Sequence, residues 1–460
     1  MTLIAALQNI VGKGNVLTED DVRARAVSWF DHRPMTALAI VRPANTEQVS
    51  AVVKCCAQAQ VSLVPMGGLT GFVEGAVTTA QQIGLSLERM TRIESMDVED
   101  ACVVVEAGVP LQTLHEFAEE HQLHYPVDLG ARGSCTLGGM AATNAGGNEV
   151  LRFGMTREQI LGLEVVLADG RVLSNLRPLL KNNTGYDLKQ LFIGSEGTLG
   201  VITRLALRLR PLHNSLSTAL VAVNDFTSVA TLLRTLEQQL GGRLSAFEVM
   251  WREHFNFIVA DGAKHKAPLA TDYEFYVLVQ TANFNSAEEV IFMDVMEQGL
   301  TTGIIADAAV ASSLAQQKAL WAIRDDIERL TTGLAPYLGY DVSLPIKHMD
   351  SYIRNLQAAI KQRWPDAIVI VFGHLGDGNL HLFIHIGPQL SASDKADINQ
   401  RVYQPLADIE GSISAEHGIG FQKKSYLTCS RSKDEIQVMR DLKRVLDPLN
   451  ILNPGAIFDA

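Results

Sequence analysis

Apolar and polar positions between residues 38 and 65 follow a pattern that predicts a strand, a helix and a second strand. Leu38–Val41 is a short apolar run. Asn45 can cap a helix, and after it Val49, Val52, Val53 and Cys56 recur at helical spacing. Val61–Pro65 is apolar again and runs into a glycine-rich stretch. The pattern therefore predicts a βαβ unit whose last strand ends in a flexible turn.

The pattern changes after about residue 214, where strand-like runs alternate with longer helical ones. The predicted strands are Ser217–Val223, Ser245–Met250, Glu274–Thr281 and Tyr340–Leu344. The predicted helices are Phe226–Leu240, Ala287–Gln298, Leu314–Arg329, Met349–Arg363 and, near the end, Lys433–Leu446. This texture predicts an α+β protein with three parts, residues 1–214, 215–425 and 426–460.

Two Asp-Gly pairs between apolar runs predict tight hairpins, since both loop residues can take positive φ. One is Asp169-Gly170 and the other is Asp377-Gly378. If Asp377-Gly378 is a two-residue loop, His374 lies directly opposite His381, on the same face of the hairpin. Their Cβ atoms would then be roughly 5 Å apart.

Two imidazoles at that distance predict a metal site. Glu416, in Ser-Ala-Glu-His-Gly, is the candidate third ligand, and His417 follows it. Two His and one carboxylate with an open position form a common catalytic metal arrangement. The alternative interpretation is a pair of structural histidines on a turn.

Composition excludes several classes of protein. The chain has 460 residues, a net charge of −12 and no long basic run, which argues against nucleic-acid binding. Five cysteines without a CxxC pair argue against a disulfide framework or a structural zinc site and favour a reducing cytoplasm. The first residues lack a basic segment typical of a secretory signal, and we expect no transmembrane helix.

Three glycine-dense segments lie in the first half of the chain, at residues 65–71, 128–147 and 194–202. Successive backbone N–H groups in a glycine turn can bind an anion, and small residues let the backbone approach a flat ligand. The hydroxyl and amide groups of Thr70, Ser134, Thr136, Thr143 and Asn144 could add hydrogen bonds. Neither a Rossmann fingerprint nor a P-loop is present. A tight loop without a ligand is the alternative for the first segment.

These segments, together with Gly373–His381, Glu416–Gly420 and Asn453-Pro-Gly455, resemble the flavoenzymes of the vanillyl-alcohol oxidase superfamily. Within it they resemble the D-lactate and D-2-hydroxyglutarate dehydrogenase branch, and residues 181–194 are especially similar to the latter. The resemblance runs in order from about residue 37 to 458.

The resemblance implies a two-lobed FAD-binding domain of vanillyl-alcohol oxidase type, an α+β substrate (cap) domain and a C-terminal helical segment that returns to the flavin. The first loop has no His, so non-covalent FAD is expected. The expected FAD-binding residues are Pro65, Met66, Gly67, Gly68, Leu69, Thr70, Gly71, Asp128, Gly133, Ser134, Thr136, Gly138, Gly139, Thr143, Asn144, Gly146, Glu196, Gly197, Gly200, Ile202 and Asn453.

Oxidation of a D-2-hydroxy acid transfers a hydride to flavin N5, and the hydroxyl proton needs a base, for which His is the usual choice. The resemblance makes zinc the expected metal on His374, His381 and Glu416, and we assign the base to His417. It also places an arginine, here Arg324, on the substrate carboxylate, for which the bidentate guanidinium is suited. The alternative for Arg324 is a surface ion pair with Glu328.

Three departures from the family pattern bear on the substrate. D-2-hydroxyglutarate dehydrogenases usually have Lys, Thr and Asn where this chain has Gly339, Glu328 and Phe383. A distal carboxylate would lose a cation and meet an acid, and an unpaired desolvated carboxylate costs several kcal/mol. The sequence therefore favours a monocarboxylic D-2-hydroxy acid such as D-lactate or a larger apolar analogue.

Three other functions remain open. The first is a D-2-hydroxyglutarate dehydrogenase, the second is the FAD subunit of a complex similar to multi-subunit glycolate oxidases, and the third is a transferase similar to alkyl-glycerone-phosphate synthases. The histidine pair argues against the third, which would not need it. The resemblance implies an electron acceptor such as electron-transferring flavoprotein or a quinone, and a homodimer is a possible assembly.

Overall fold

The computed structural model describes residues 2–459, which divide into two compact units. The first unit holds the described residues up to Gly147, then Phe153–Leu212 and the residues from Glu416 onward. The second unit holds Asn148–Arg152 and His213–Ala415. The chain passes to the second unit beside the predicted boundary at 214, and it rejoins the first unit at Glu416, ahead of the predicted boundary at 426.

The chain up to Leu212 contains short strands interrupted by helices. The helices are α1 (Leu3–Val11), α2 (Asp20–Arg23), α3 (Thr46–Ala59), α4 (Leu111–Glu120), α5 (Leu137–Thr143), α6 (Val150–Phe153), α7 (Thr156–Gln159) and α8 (Lys189–Phe192). The strands are β1 (Val16–Leu17), β2 (Ala39–Val41), β3 (Leu63–Met66), β4 (Ile83–Ser86), β5 (Ile93–Asp97), β6 (Cys102–Glu106), β7 (Leu123–His124), β8 (Ile160–Val166), β9 (Val172–Asn175), β10 (Val201–Arg208) and β11 (Arg210–Pro211).

The predicted βαβ unit is confirmed as β2, α3 and β3. Asn45 caps α3 by accepting a hydrogen bond from Gln48 N (2.9 Å), and the apolar face of α3 packs into the core of the first unit. β2 and β3 each pair with β4 in parallel, in the strand order β1-β2-β4-β3. Antiparallel strands form a second sheet in the order β5-β6-β10-β8-β9. These sheets position the turn that follows β3.

The chain from His213 to Ala415 builds a larger sheet. Its strands are β12 (Ser215–Val223), β13 (Leu244–Trp251), β14 (Phe275–Asn283), β15 (Asp307–Val310), β16 (Leu338–Ser343), β17 (Ile368–His374) and β18 (Asn379–His385). Its helices are α9 (Phe226–Gln239), α10 (Arg252–Val259), α11 (Ser286–Thr301), α12 (Leu314–Arg324), α13 (Ile327–Gly333), α14 (Ile346–Arg363) and α15 (Ala392–Asp408), and α16 (Lys433–Leu446) follows in the first unit. The strands pair in antiparallel fashion in the order β15-β12-β14-β13-β17-β18-β16. The predicted α+β class is confirmed.

The predicted single helix Leu314–Arg329 is wrong, because two helices occupy this region. α12 ends at Arg324, and α13 begins after Asp326, whose carboxylate accepts a hydrogen bond from Arg329 N (3.0 Å). The two successive aspartates favour a helix start over a helix interior. The break makes Arg324 the last residue of α12.

The hairpin at Asp377-Gly378 forms, but its predicted register is wrong. Leu375–Asp377 is a turn of 3₁₀ helix, only Gly378 of the Asp-Gly pair has positive φ (+92°), and His381 pairs with Phe372 instead of His374. The longer loop shifts the register by two residues. Because side chains alternate with a period of two, a shift of two keeps both histidines on one face.

Candidate active site

The turn after β3 is a backbone cradle. None of the N–H groups of Gly68, Leu69, Thr70 and Gly71 donates a hydrogen bond to another described residue. Leu69 has a left-handed φ of +55°, which helps to turn successive N–H groups toward one side. Four unpaired N–H groups in a row suit a ligand with several anionic oxygens, such as the pyrophosphate of a dinucleotide.

The three glycine-dense segments converge on this cradle, and glycine allows the close approach. A Cβ on Gly68 would lie 1.8 Å from Ser134 O, and one on Gly67 would lie 2.6 Å from Thr136 Oγ1. A Cβ on Gly197 would meet Pro65 Cγ at 3.0 Å. The third segment is also tied to α5, since Glu196 N donates to Ala142 O (2.8 Å). The first and third segments, far apart in the chain, thus contact each other at Pro65 and Gly197.

The polar side chains expected at the flavin fall into two groups. The hydroxyls of Thr70 and Ser134 make no hydrogen bond to other described residues and so could bind a ligand. Thr136 caps α5, and the Thr143 hydroxyl donates to Gly139 O (3.1 Å). The side-chain oxygen Oδ1 of Asn144 accepts a hydrogen bond from Arg157 N (2.9 Å). The side chains of Thr136, Thr143 and Asn144 therefore stabilise the segments around the cradle through hydrogen bonds within the protein.

Other expected FAD-binding residues have mainly packing or pairing contacts. Asp128 forms an ion pair with Arg132. A Cβ on Gly138 would lie 2.5 Å from Ala107 Cβ, and one on Gly146 would lie 2.3 Å from Glu416 Oε1. Met66, Gly139, Gly200 and Ile202 also have packing contacts, whereas a Cβ on Gly133 would meet no atom within 4 Å.

Glu196 and Asn453 close the cradle from two sides. The Glu196 carboxylate accepts hydrogen bonds from the N–H groups of Ile419 (2.7 Å) and Gly420 (2.8 Å), and burial raises its pKa. Asn453 donates its amide hydrogens to Gly75 O and Glu196 O, both at 2.9 Å. Its buried carbonyl oxygen has no hydrogen-bond partner among the described residues. A buried unpaired acceptor is costly without a ligand, so the residues present fit a bound cofactor.

In the second unit, the two histidines share one face of the large sheet. The ring centroids of His374 and His381 are 5.4 Å apart, and both side chains are largely buried. Helices α10, α12 and α13 cover this face through an apolar cluster that includes Phe372. The pair is therefore placed by the strands and shielded by the helices.

Each histidine has a buried carboxylate near it, and sequence reasoning missed both. Glu248, opposite His374 on β13, lies 2.6 Å from His374 Nδ1. Asp341, opposite His381 on β16, lies 3.9 Å from His381 Nδ1. Glu248 could have been found, because it is the one charged residue in the buried run Leu244–Trp251. If His374 donates from Nδ1, its Nε2 carries a lone pair, which accepts from Arg324 Nη2 (3.1 Å) and which a metal would take in place of that hydrogen bond.

Arg324 joins this network from the end of α12. It is buried, its Nε donates to Glu248 (2.8 Å) and its Nη2 lies 3.1 Å from His374 Nε2. Burial alone would raise the pKa of Glu248, but the charges and hydrogen bonds of His374 and Arg324 lower it to about 2. The alternative of a surface Arg324 paired with Glu328 is wrong.

Glu416 follows directly on Ala415, whose N–H donates to Asp341 (3.1 Å). Of the predicted ligand set, the structure brings His374 and His381 together within the second unit, with Asp341 as a further carboxylate beside them. Glu416 is the residue at which the chain rejoins the first unit, and its role as the third ligand stays a prediction.

His417 packs its ring on Phe72, with centroids 4.5 Å apart. Phe72 follows the cradle directly and stacks on Phe30 (5.3 Å). The two rings are tilted by 32°, and packing of this kind leaves the nitrogens at the edge of the imidazole, which suits the predicted role as a base. That role stays a prediction.

The three departures from the family pattern lie in the second unit. Gly339 and Phe383 are direct partners across β16 and β18, one step along the same face from Asp341 and His381. Phe383 stacks on Tyr337 (5.1 Å) and lies near Phe372 (6.0 Å). Glu328 is exposed and forms no ion pair with another described residue.

Comparisons with known proteins agree with this architecture. An FAD binding domain model matches residues 37–175, and a model of the C-terminal domain of FAD linked oxidases matches residues 212–457. D-2-hydroxyglutarate dehydrogenase of Xanthomonas citri is 38% identical over 99% of this chain and 97% of its own length. The mitochondrial enzyme of that name from Bos taurus is 38% identical over 98% of this chain and 82% of its own.

Solved structures share the fold at low identity. A p-cresol methylhydroxylase has a TM-score of 0.79 at 15% identity, covering 99% of this chain and 96% of that one. An alkyldihydroxyacetonephosphate synthase has a TM-score of 0.78 at 15% identity, covering 98% and 84%. Among residues 2–459, no helix has the length and apolarity that crossing a membrane requires. The chain belongs to the FAD-linked D-2-hydroxy acid dehydrogenases.

Proposed function

We propose that this dehydrogenase oxidises a D-2-hydroxy acid with an apolar side chain, with the help of a divalent metal held by His374, His381 and Glu416. The observation that supports the metal proposal is the closeness of the two histidine rings, with a buried carboxylate beside each of them. Zinc suits this donor set because it accepts both imidazole and carboxylate ligands.

FAD supplies the hydride acceptor when bound, and a divalent cation supplies a Lewis acid that lowers the pKa of the substrate hydroxyl. The chain supplies the rest of the chemistry. Arg324 supplies the positive charge for the substrate carboxylate, which would take the place of Asp325 and His374 at Nη1 and Nη2. Glu248 holds His374 in the tautomer that leaves Nε2 for the metal, and His417 takes the hydroxyl proton. The helices over the sheet exclude water from the buried charges.

The proposal for the substrate side chain depends on Phe383 and Gly339. Their cross-strand pair lies next to the pair formed by His381 and Asp341, and the rings of Tyr337 and Phe372 lie beside Phe383. Transfer of a second substrate carboxylate to such surroundings costs several kcal/mol unless a cation pairs with it. An apolar side chain would instead gain from contact with the rings.

D-2-hydroxyglutarate is the second candidate, and the names of the relatives favour it. The curated relatives named above, at 38% identity, are D-2-hydroxyglutarate dehydrogenases. Initial rates on D-2-hydroxyglutarate, D-lactate and larger monocarboxylic D-acids, with a dye as acceptor, separate the two proposals. We expect the best monocarboxylic acid to have the highest kcat/KM. A tenfold preference for D-2-hydroxyglutarate, about 1.4 kcal/mol of transition-state free energy, would overturn the apolar proposal.

A reverse exchange sharpens this test. In the variant Gly339→Lys/Phe383→Asn, the preference should move toward D-2-hydroxyglutarate by about tenfold, since the Lys adds a cation where the family has one. The exposed exchange Lys347→Gly serves as the control. An unchanged preference in both would show that these positions do not contact the substrate.

The predictions about cell location and assembly go no further than the resemblance. An electron-transferring flavoprotein or a quinone as acceptor, a homodimer, cytoplasmic location and the three domain boundaries all stay predictions.

A further inference from the structure

A buried cation lies at the point where the FAD-binding segments meet, in a place that the proposed chemistry does not use. Lys443 on α16 is 3% exposed, and Asp447, one turn later, is 1% exposed. Lys443 Nζ donates to Asp447 Oδ2 (2.5 Å), to Leu452 O (2.7 Å) and to Thr198 O (2.9 Å). All three ammonium donors are therefore used, two within the turn after α16 and one in the 194–202 segment.

The Asp447 carboxylate shapes the turn after α16. It accepts hydrogen bonds from Ile451 N (3.0 Å) and Leu452 N (2.8 Å). The turn then forms a parallel bridge with β3, since Leu63 N donates to Ile451 O (2.8 Å) and Asn453 N donates to Leu63 O (2.9 Å). The carboxylate thus sets the position of Asn453, whose unpaired carbonyl borders the cradle.

The ammonium group joins that turn to the third glycine-dense segment through Thr198. Thr198 lies between Gly197, which packs on Pro65, and Gly200. One cation therefore links the C-terminal turn and the 194–202 segment, while β3, which leads into the 65–71 cradle, is bonded to the same turn. Burial of an isolated ammonium would be very unfavourable, so its retention here requires all of these partners.

We propose that Lys443 and Asp447 are a positioning pair that sets the geometry of the FAD cradle before FAD binds. The pair touches neither substrate nor flavin in this proposal. It acts through Asn453 and Thr198, and its loss should weaken FAD binding more than the loss of an equally buried group elsewhere in the unit.

Titration of the apoprotein with FAD, followed by flavin fluorescence quenching, tests the proposal, with thermal unfolding of the same apoprotein measured in parallel. Lys443→Met should raise the FAD dissociation constant at least tenfold. Val49→Ala, a buried position on α3 outside the three segments, is the control matched for loss of stability, and it should change the constant less than twofold. Equal weakening in both variants would overturn the proposal.

The double variant Lys443→Met/Asp447→Asn separates positioning from general stability, and it covers the case in which the single variant does not fold. The amide removes the unpaired negative charge and keeps a side-chain oxygen for the backbone N–H groups of the turn, so apoprotein stability should recover relative to Lys443→Met. The link to Thr198 remains absent, so FAD affinity should stay at least tenfold weaker than in the wild type. Recovery of FAD affinity together with stability would contradict a positioning role.

Discussion

The FAD cradle and the histidine face of the large sheet solve the problem of ligand binding in different ways. The cradle is made of backbone: N–H groups of residues 68–71 and glycines packed against other glycine-rich segments. The histidine face is made of side chains, with Glu248 and Asp341 behind His374 and His381 and with Arg324 beside them. Ligand binding in the cradle depends on the space that glycines leave, and ligand binding at the histidine face depends on the balance of buried charges. Substitutions in the two regions should therefore have different effects.

The largest expected effect comes from filling space in the cradle. Gly68→Ala puts a methyl group 1.8 Å from Ser134 O, so the backbone must move and the protein should be purified without FAD, by absorbance, and without activity. Gly14→Ala, with no atom within 4 Å of the new methyl group, is the control. A yellow, active Gly68→Ala protein would show that the segments are not packed as described.

Removal of a metal-binding side chain should prevent metal binding and leave FAD bound. In His381→Ala, bound metal measured by atomic emission should be lost and kcat/KM should fall about a thousandfold or more, since a Lewis acid contributes several kcal/mol. His385→Asn, four residues along the same strand, is the matched control, because its Nδ1 bonds to the backbone at Leu334 and Pro336. Full activity of the metal-free variant would contradict the proposed chemistry.

A smaller effect should follow from neutralising Glu248 without changing its shape. Glu248→Gln keeps the side-chain volume but weakens the bonds to His374 and Arg324, so metal affinity should fall about 10- to 100-fold in a chelator competition. The FAD dissociation constant should stay within twofold of wild type. Glu253→Gln, on the exposed side of α10, controls for loss of a carboxylate. Unaltered metal affinity would mean that Glu248 serves only the packing of β13.

The smallest effect concerns His254, which packs on Phe372 (4.5 Å) and whose ring nitrogens have no hydrogen-bond partner among the described residues. Burial and the charge of Arg324 lower its pKa to about 3. Below about pH 6.5, His254 is therefore protonated in the unfolded chain but stays neutral in the folded chain. This should cost about 2 kcal/mol of unfolding free energy between pH 7 and pH 5.

His254→Phe should remove this part of the pH dependence, as measured by urea unfolding at several pH values. The exposed His32→Phe variant should keep the wild-type dependence. Equal slopes in wild type and His254→Phe would show that His254 is not held neutral in the folded chain.

The features that could be predicted from the sequence are those that depend on residues close together in the chain. Helix α16 lies at the predicted residues, and Asn45 caps α3 as expected, because local periodicity and capping decide these features. The hairpin register failed by two residues because Asp-Gly is compatible with more than one loop. The two histidines nevertheless lie on one face of the sheet, as predicted. A register shift by an even number of residues leaves each side chain on the same face.

The parts that could not be predicted are contacts between residues distant in the chain. Glu248 meets His374 across 126 positions, and Lys443 meets Thr198 across 245. Nothing local in the sequence indicates such partners, apart from a charged residue in an otherwise apolar strand. Arg324 was assigned by resemblance, and its buried bonds to Glu248 and His374 became visible only with the sheet register.

The central claim is that a cation held by His374, His381 and Glu416 is needed for a D-2-hydroxy acid to reduce FAD. The direct measurement is anaerobic bleaching of the visible FAD band by D- and L-2-hydroxy acids, before chelation, after chelation and after readdition of zinc. We expect fast bleaching by a D-acid, none by its L-isomer, loss of bleaching after chelation with FAD still bound, and recovery with zinc. Undiminished bleaching by the D-acid in metal-free protein would contradict the account.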